Sequence, residues 1–437
     1  MKHRPVRFGL VWSPAFRRRW FGVPPLGGVP RQNPEQRPPK GGTSNQCTPE
    51  GRQVCEVTEW RYPQGFSLSR RCAIPRRTAT EVLGVCLVAA VLTLPAAFCQ
   101  ERTKAKPTPS DAKKQVAPDP EPSATDEQSQ VTAKITRWFD GKAAAVSLRF
   151  DDSNPTHILI AVPLLTQHQM VGTFLINPGR DGYKRHKDKW ETEAIRGGHE
   201  FGNHTMHHRG AKDDEEADYE IGECSKFIWN LFPGKSKLLA FRSGGGTTWN
   251  IQKPWSHYNK KWHLVYDEHS LGVGTEGEGY VRSMPQFKER LDQALKSGLW
   301  VTFYYHQIGL EKGLGISEAF FREQVEHLRS RRDDLWFAGI AQAHKYQAER
   351  RAAKVSIRRL AERRLEIALA AGTDVALYDQ ALTMELAMTG TWRADRVKAA
   401  DAQGRVLKTR TAQSEGRQVV RFEVPPVNGT MTVSGSE

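Results

Sequence analysis

Aspartate is missing from the first 80 residues of this 437-residue chain, where fifteen Lys/Arg face only four Glu. The rest holds 49 basic and 45 acidic side chains, so the net charge of +15 belongs mostly to one end. Such an end binds polyanions without selectivity. The body nowhere interleaves Arg/Lys with aromatics in a nucleic-acid-binding pattern, so no nucleic-acid partner is expected. Long apolar runs are also scarce. Only Val82–Ala97 is apolar enough to enter a bilayer, which excludes a multi-span membrane protein. Six cysteines over this length exclude a disulfide-framework miniprotein. Hydrophobic residues make up 38%, little for a wholly globular chain, so part of it is tail or linker. At ~150 residues per domain, two or three units are expected.

Residues 1–69 are rich in Arg, Pro, Gly and Gln without an apolar period, and are expected to be a disordered basic tail. Residues 70–99 place Arg70, Arg71, Arg76 and Arg77 before the apolar run and end it in small residues, the pattern of a secretory signal peptide. Either translation starts shortly before Arg70 and this segment is cleaved, or it is an uncleaved anchor with an inside tail. Both readings give a secreted, periplasmic or cell-envelope protein, with membrane contact only through that anchor. Cleavage near Cys99 would leave Cys224 as the one cysteine, expected as a small buried hydrophobe. Residues 100–131, mostly Pro, Lys, Asp, Glu and Ser, are expected to be a linker.

From 132 to 350 apolar strands alternate with segments of helical period. "AAAVSLRF", "VGTFLI", "LLAF", "WHLVY" and "LWVTFYY" are the strands, and "MPQFKERLDQALKS" and "SEAFFREQVEHLRS" are two of the helices. This alternation predicts a parallel α/β unit of the (β/α) barrel type. Residues 351–437 instead alternate apolar and polar positions, which predicts a small antiparallel β module. Its aromatics are only Tyr378, Trp392 and Phe422, few for a sugar-binding platform.

Four strand ends carry side chains that a core would not choose. Asp151–Asp152 follows an apolar strand, and adjacent carboxylates repel unless a cation or proton intervenes. The pair can also cap a helix before Pro155. In "GHEFGNHTMHH", His204 and His208 are four apart and would share one side of a helical turn. With Asp152 they make an Asp-His-His set suited to Zn²⁺ or Co²⁺, with His199 and His207 as spares. A histidine cluster can equally be a surface accident. Arg242 precedes Gly244, Gly245 and Gly246, and glycines let a backbone N–H approach a developing oxyanion. His306 ends the strand "VTFYYH", a catalytic position in barrels but also one a core histidine can occupy.

In this order the four segments resemble the polysaccharide deacetylases, the NodB-homology group of carbohydrate esterase family 4. Phe150-Asp151-Asp152 matches the first motif, and "GHEFGNHTMHH" matches the second nearly letter for letter. Arg242–Gly246 stands at the third motif, with Gly244 and Gly245 in place of a proline and an aromatic. His306 matches the last motif, and Asp267 in "HLVYDEHS" is the candidate for the aspartate that holds it. The resemblance covers roughly residues 140–345. It implies a distorted (β/α) barrel of the NodB type and a divalent cation on Asp152, His204 and His208. It further implies Asp151 as base oriented by Arg242, the Gly245 N–H at the oxyanion, and His306 as acid. The implied partner is an acetylated polysaccharide, foremost an N-acetylglucosamine polymer such as peptidoglycan or chitin, then acetylated xylan. The other reading is a non-catalytic glycan-binding or wall protein on the same scaffold.

Overall fold

The computed structural model describes residues 121–435, apart from 129, 268–269 and 390–391. The expected basic tail, the signal or anchor segment and most of the linker lie outside the described residues. Two strands come first, β1 (Ser123–Asp126) and β2 (Val131–Ile135). Then follow β3 (Ala144–Phe150), β4 (Gly172–Ile176), β5 (Glu200–Asn203) and β6 (Leu239–Phe241). Next are β7 (Leu264–Tyr266), β8 (Leu271–Gly272) and β9 (Trp300–Tyr305). The short β10 (Gln307–Ile308) and β11 (Gly315–Ile316) pair with each other, and β12 (Leu335–Phe337) returns to β3. The chain closes with β13 (Lys354–Ala361), β14 (Arg364–Ala370), β15 (Leu382–Met388) and β16 (Val397–Asp401). Last are β17 (Val406–Leu407), β18 (Arg410–Ser414), β19 (Arg417–Val424) and β20 (Gly429–Gly435).

The expected α/β unit is an eight-stranded parallel sheet in the order β7-β6-β5-β4-β3-β9-β8, with β12 on β3. The NodB-type fold is thus present as an open, distorted barrel. Strand β3 is its axis and is buried at all seven positions, as a strand covered on both faces must be. One of its edges pairs with β9 along Ala145–Phe150. The other is shared, with β12 on Ala144–Val146 and β4 on Leu148–Phe150. Phe150 stacks between Phe174 and Tyr305 at 4.8 and 5.2 Å, which fixes where the strand ends. Helices cover the sheet. Asp213 caps Asp214–Leu231 by accepting from Glu216 N, and Gly298 at φ 63° ends Met284–Ser297. Cys224 sits fully buried on the first of these helices.

The C-terminal module departs from its expected boundary. Two five-stranded antiparallel sheets form it, β1-β2-β15-β19-β18 and β13-β14-β20-β16-β17. Two strands thus come from before the barrel, inside or next to the expected linker. Val131, Ala133 and Ile135 are fully buried, while Lys134 reaches out to Glu121 and Glu385. Five residues of alternation beside a charged, Pro-rich stretch are too short to stand out in sequence, yet β15 needs β2 as its neighbour. The hairpin β13–β14 falls within the expected module, with Arg358 and Arg359 of β13 exposed.

Deletion of residues 1–135 is therefore expected to destabilise the chain. It removes Val131 and Ile135, each contributing about 1.5–3 kcal/mol of burial, which corresponds to a thermal midpoint lower by about 10 °C or more. Calorimetry against the full chain checks this, and an unchanged midpoint contradicts the assignment of β2 to the core.

Candidate active site

The four polar strand ends meet at the carboxyl edge of the sheet, around a cleft of about 520 Å³. Asp151 follows β3 and its N–H donates to Tyr305 O at 3.0 Å. Asp152 and Ser153 then adopt φ of 74° and 50°, left-handed values unusual outside glycine. This turn sends the two adjacent carboxylates to different partners. Ser153 Oγ locks the turn by accepting from Asn177 N at 2.8 Å.

Asp152 faces the histidines. His208 Nε2 lies 3.1 Å and His204 Nε2 3.4 Å from Asp152 Oδ1. One ligand atom from each of the three lies within 4.8 Å of the others. The expected helical turn is not there, however. Residues 204–208 form a loop in which Thr205 (φ 70°) and His208 (φ 56°) are left-handed. These kinks turn both rings inward, centroids 4.9 Å apart. Asn203 Oδ1 accepts from Thr205 N and Thr205 Oγ1 accepts from His208 N, which holds the loop in this shape. The His204 Nδ1 bond to Arg242 O at 2.7 Å leaves Nε2 for the cluster. Burial would raise the Asp152 carboxyl, but His204 and His208 hold it far below the usual carboxylate range. The neighbouring Asp152 carboxylate pushes the His208 imidazole up against the opposing effect of burial. Asp152 Oδ1 is itself buried without a properly directed hydrogen bond. An orphaned carboxylate oxygen beside two imidazole nitrogens fits a divalent cation better than it fits a hydrogen-bonded core.

Asp151, 3% exposed, is held by a residue that was not anticipated. Arg149 grips both of its oxygens, Nε to Oδ1 at 2.9 Å and Nη2 to Oδ2 at 2.8 Å. Burial would raise this carboxyl, but Arg149 foremost, then His204 and His306, hold it below its ordinary value. Arg242, expected to orient Asp151, does not touch it. Its Nη1 donates to Asp267 O at 2.7 Å and its guanidinium lies over Tyr266. The signal for Arg149 was available, since a lone charge inside "AVSLRF" must find a buried partner.

Asp267 also differs from expectation. Its carboxylate binds Arg149 Nη1 at 2.5 Å and Ser270 Oγ at 2.5 Å, and it does not hold His306. The strand has already committed Arg149 beside it, and two buried charges of opposite sign pair first. His306 reaches the cluster all the same, with Nε2 4.0 Å from Asp152 Oδ2. Its carbonyl accepts from Asn154 Nδ2 at 2.9 Å and contacts His157 Nε2. His157 lies fully buried, and burial takes its imidazole down to about 4. The spare histidines stay out. His199 accepts from Gly172 N in the core, where burial lowers it to about 4. His207 pairs with the buried Glu220 at 2.8 Å.

The glycine turn lines the cleft, and two of its members differ. A Cβ on Gly244 would stand 2.6 Å from His208 Nε2, so the histidine ring occupies the space a side chain would need. A Cβ on Gly245 would meet nothing within 4 Å and would project into open space.

Residues 140–255 match the family model described as polysaccharide deacetylase. That segment is thus similar to a polysaccharide deacetylase domain. It contains Asp151, Asp152, His204, His208, Arg242 and Gly245, while Asp267 and His306 follow it. No curated protein matches the chain. Similar solved structures include the peptidoglycan deacetylase PdaC from Bacillus subtilis, at 14% identity and TM-score 0.29, covering 46% of this chain and 90% of that one. A family 4 carbohydrate esterase pseudoenzyme from Bacillus anthracis matches at 12% identity and TM-score 0.32, covering 44% and 62%. A family 4 esterase from Streptococcus mutans matches at 14% and 0.30, covering 43% and 83%. The match thus spans less than two thirds of the pseudoenzyme's length.

The two glycines make a paired test. Gly244→Ala is expected to displace His208 and weaken zinc affinity by about 10- to 100-fold, the range for disturbed ligand support. Gly245→Ala is expected to leave it unchanged. Competition with a chromogenic chelator reads both, and equal affinities for the two variants contradict His208 as a ligand.

Proposed function

We propose that this chain is a metal-dependent hydrolase that removes acetyl groups from glycans outside the cytoplasm, foremost the N-acetyl groups of N-acetylglucosamine polymers. The observation that carries this reading is the division of labour between neighbours: Asp152 sits with His204 and His208, while Asp151, one residue away, is held apart from that cluster. A carboxylate used as ligand and a second one kept off the cluster as base are what hydrolysis of an unactivated acyl group requires.

In this reading Asp152, His204 and His208 hold a divalent cation, Zn²⁺ or Co²⁺. When bound, it supplies Lewis acidity to a water and to the acetyl carbonyl. Asp151 takes the proton from the attacking water. Arg149 lowers its proton affinity, which keeps it ionised at neutral pH. The glycine turn, Gly245 included, lines the cleft, and its N–H groups would serve the developing oxyanion. His306, across the cleft, gives a proton to the departing amine or alcohol. The exported location rests on the Arg-flanked apolar run Val82–Ala97.

The test is acetate release by the full chain from N-acetylglucosamine oligomers, peptidoglycan and acetylated xylan, with zinc and after chelation. A fragment beginning at 132 is unsuitable because it lacks β1 and the first residue of β2. Zinc-dependent release that falls by about 10²–10⁴ in Asp151→Asn is expected, the usual share of a general base. Tight zinc binding without release from any of the three would favour a glycan-binding protein on this scaffold. No zinc binding at all contradicts the assignment of Asp152, His204 and His208.

A further inference from the structure

We propose that Arg149 is the positioning residue of this site: it, and not Arg242, fixes the orientation of Asp151, and Asp267 with Ser270 is its anchor. The kinetic part of this inference rests on the deacetylase reading, and the structural part does not.

Arg149 and Asp151 are two residues apart at the end of β3, so the extended backbone puts both side chains on one side. Pairing on both edges of β3 leaves that backbone no freedom, with Arg149 opposite Thr173 on one side and Tyr304 on the other. All three guanidinium nitrogens are committed. Nε and Nη2 take the two oxygens of Asp151, and Nη1 takes Asp267 Oδ2 and Ser270 Oγ, the latter at 2.7 Å. The planar fork matches a carboxylate at two points and so fixes its rotation as well as its place. A single ammonium would fix only its distance.

The guanidinium plane is supported as well. It lies over the ring of Tyr304, 4.4 Å from the centroid. The Tyr304 hydroxyl is tied to that of Tyr280 at 2.5 Å. The Tyr280 ring lies where Cβ atoms on Gly272 or Gly277 would stand, 2.5 Å from its atoms. Arg242 closes the arrangement from behind by donating to the Asp267 carbonyl. The chain of support therefore runs from Arg242 to Asp267 to Arg149 to Asp151, and Arg242 acts on Asp151 only at second hand.

The experiment compares Arg149→Ala and Arg149→Lys in the full chain by kcat, KM, zinc affinity and crystal structure. Both are expected to lower kcat by about 100-fold, the effect of misplacing a reacting group by about 1 Å, with KM and zinc affinity changed by less than about threefold. Added guanidinium is expected to restore part of the kcat of Arg149→Ala. The zinc-loaded crystal structure of Arg149→Lys is expected to show the Asp151 carboxylate rotated, with Asp152, His204 and His208 in place. Wild-type kcat in both variants overturns the proposal, as does an unmoved Asp151 or a loss of zinc affinity that parallels the loss of kcat. If Arg149→Ala does not fold, Arg149→Lys decides. If the wild type releases no acetate, the deacetylase reading fails and the crystal structure alone decides the role of Arg149.

Discussion

Two carboxylates on consecutive residues cannot both be buried and ionised unless each has its own source of positive charge. Much of the site follows from how this chain meets that condition at Asp151 and Asp152. Asp151 takes the guanidinium of Arg149. Asp152 takes the two imidazoles, which both face its Oδ1, with Arg180 Nη1 farther off at 3.6 Å from the same atom. Had both faced the histidines, no carboxylate would remain free to accept a proton. The separation is made by backbone, through left-handed residues at Asp152 and Ser153. Each such residue costs on the order of 1–3 kcal/mol, so the strand and loop around it must hold it there.

The same logic explains the loop from His204 to His208. Thr205 and His208 are also left-handed, and each kink is held by a side chain in the loop or beside it. Thr205 and Asn203 spend their polar atoms on local backbone groups. Asn203 also reaches Ile221 O and Ser225 Oγ on the helix Asp214–Leu231. Glu220 on that helix takes His207, the histidine that stays out of the cluster. Gly244 belongs to this set too, since a larger residue would displace the His208 ring.

The strands and the Asp-His-His cluster were legible because they depend on residue type and short spacing. The buried run "AAVSLRF" could only be a central strand, and an Asp-His-His set needs only those residues at converging strand ends. What was not legible depends on direction. Spacing alone says that His204 and His208 can converge on a helical turn; it does not say that two left-handed residues do the same in a loop. Nor does sequence order say which of two arginines reaches Asp151. Arg149 and Arg242 are 93 residues apart, and only the pairing of β3 with β9 shows that Arg149 shares a pocket with Tyr304. Asp267 was drawn to His306 by the order of motifs, but a neighbouring buried guanidinium is the stronger partner.

The C-terminal module bears on function through its place at the other end of the barrel. Its core includes Ala145, Trp336 and Ala338, from the amino end of β3 and from β12 and the residue after it, together with Ala343 and Tyr346 of the helix Ile340–Ala352. The Tyr346 hydroxyl donates to Thr136 O, just after β2. Glu349 on the same helix accepts from Gln380 N ahead of β15, and burial raises its carboxyl to about 8. These contacts close the amino end of the sheet, whereas Asp151, Asp152, His204, Arg242 and His306 lie at the carboxyl end. In barrels of this kind the amino face is where stability resides and the carboxyl face is where chemistry resides. A module that shares its core with the barrel cannot move as a separate sugar-binding unit. Packing of the barrel base, with strands drawn from both sides of the barrel in sequence, is the role this arrangement supports.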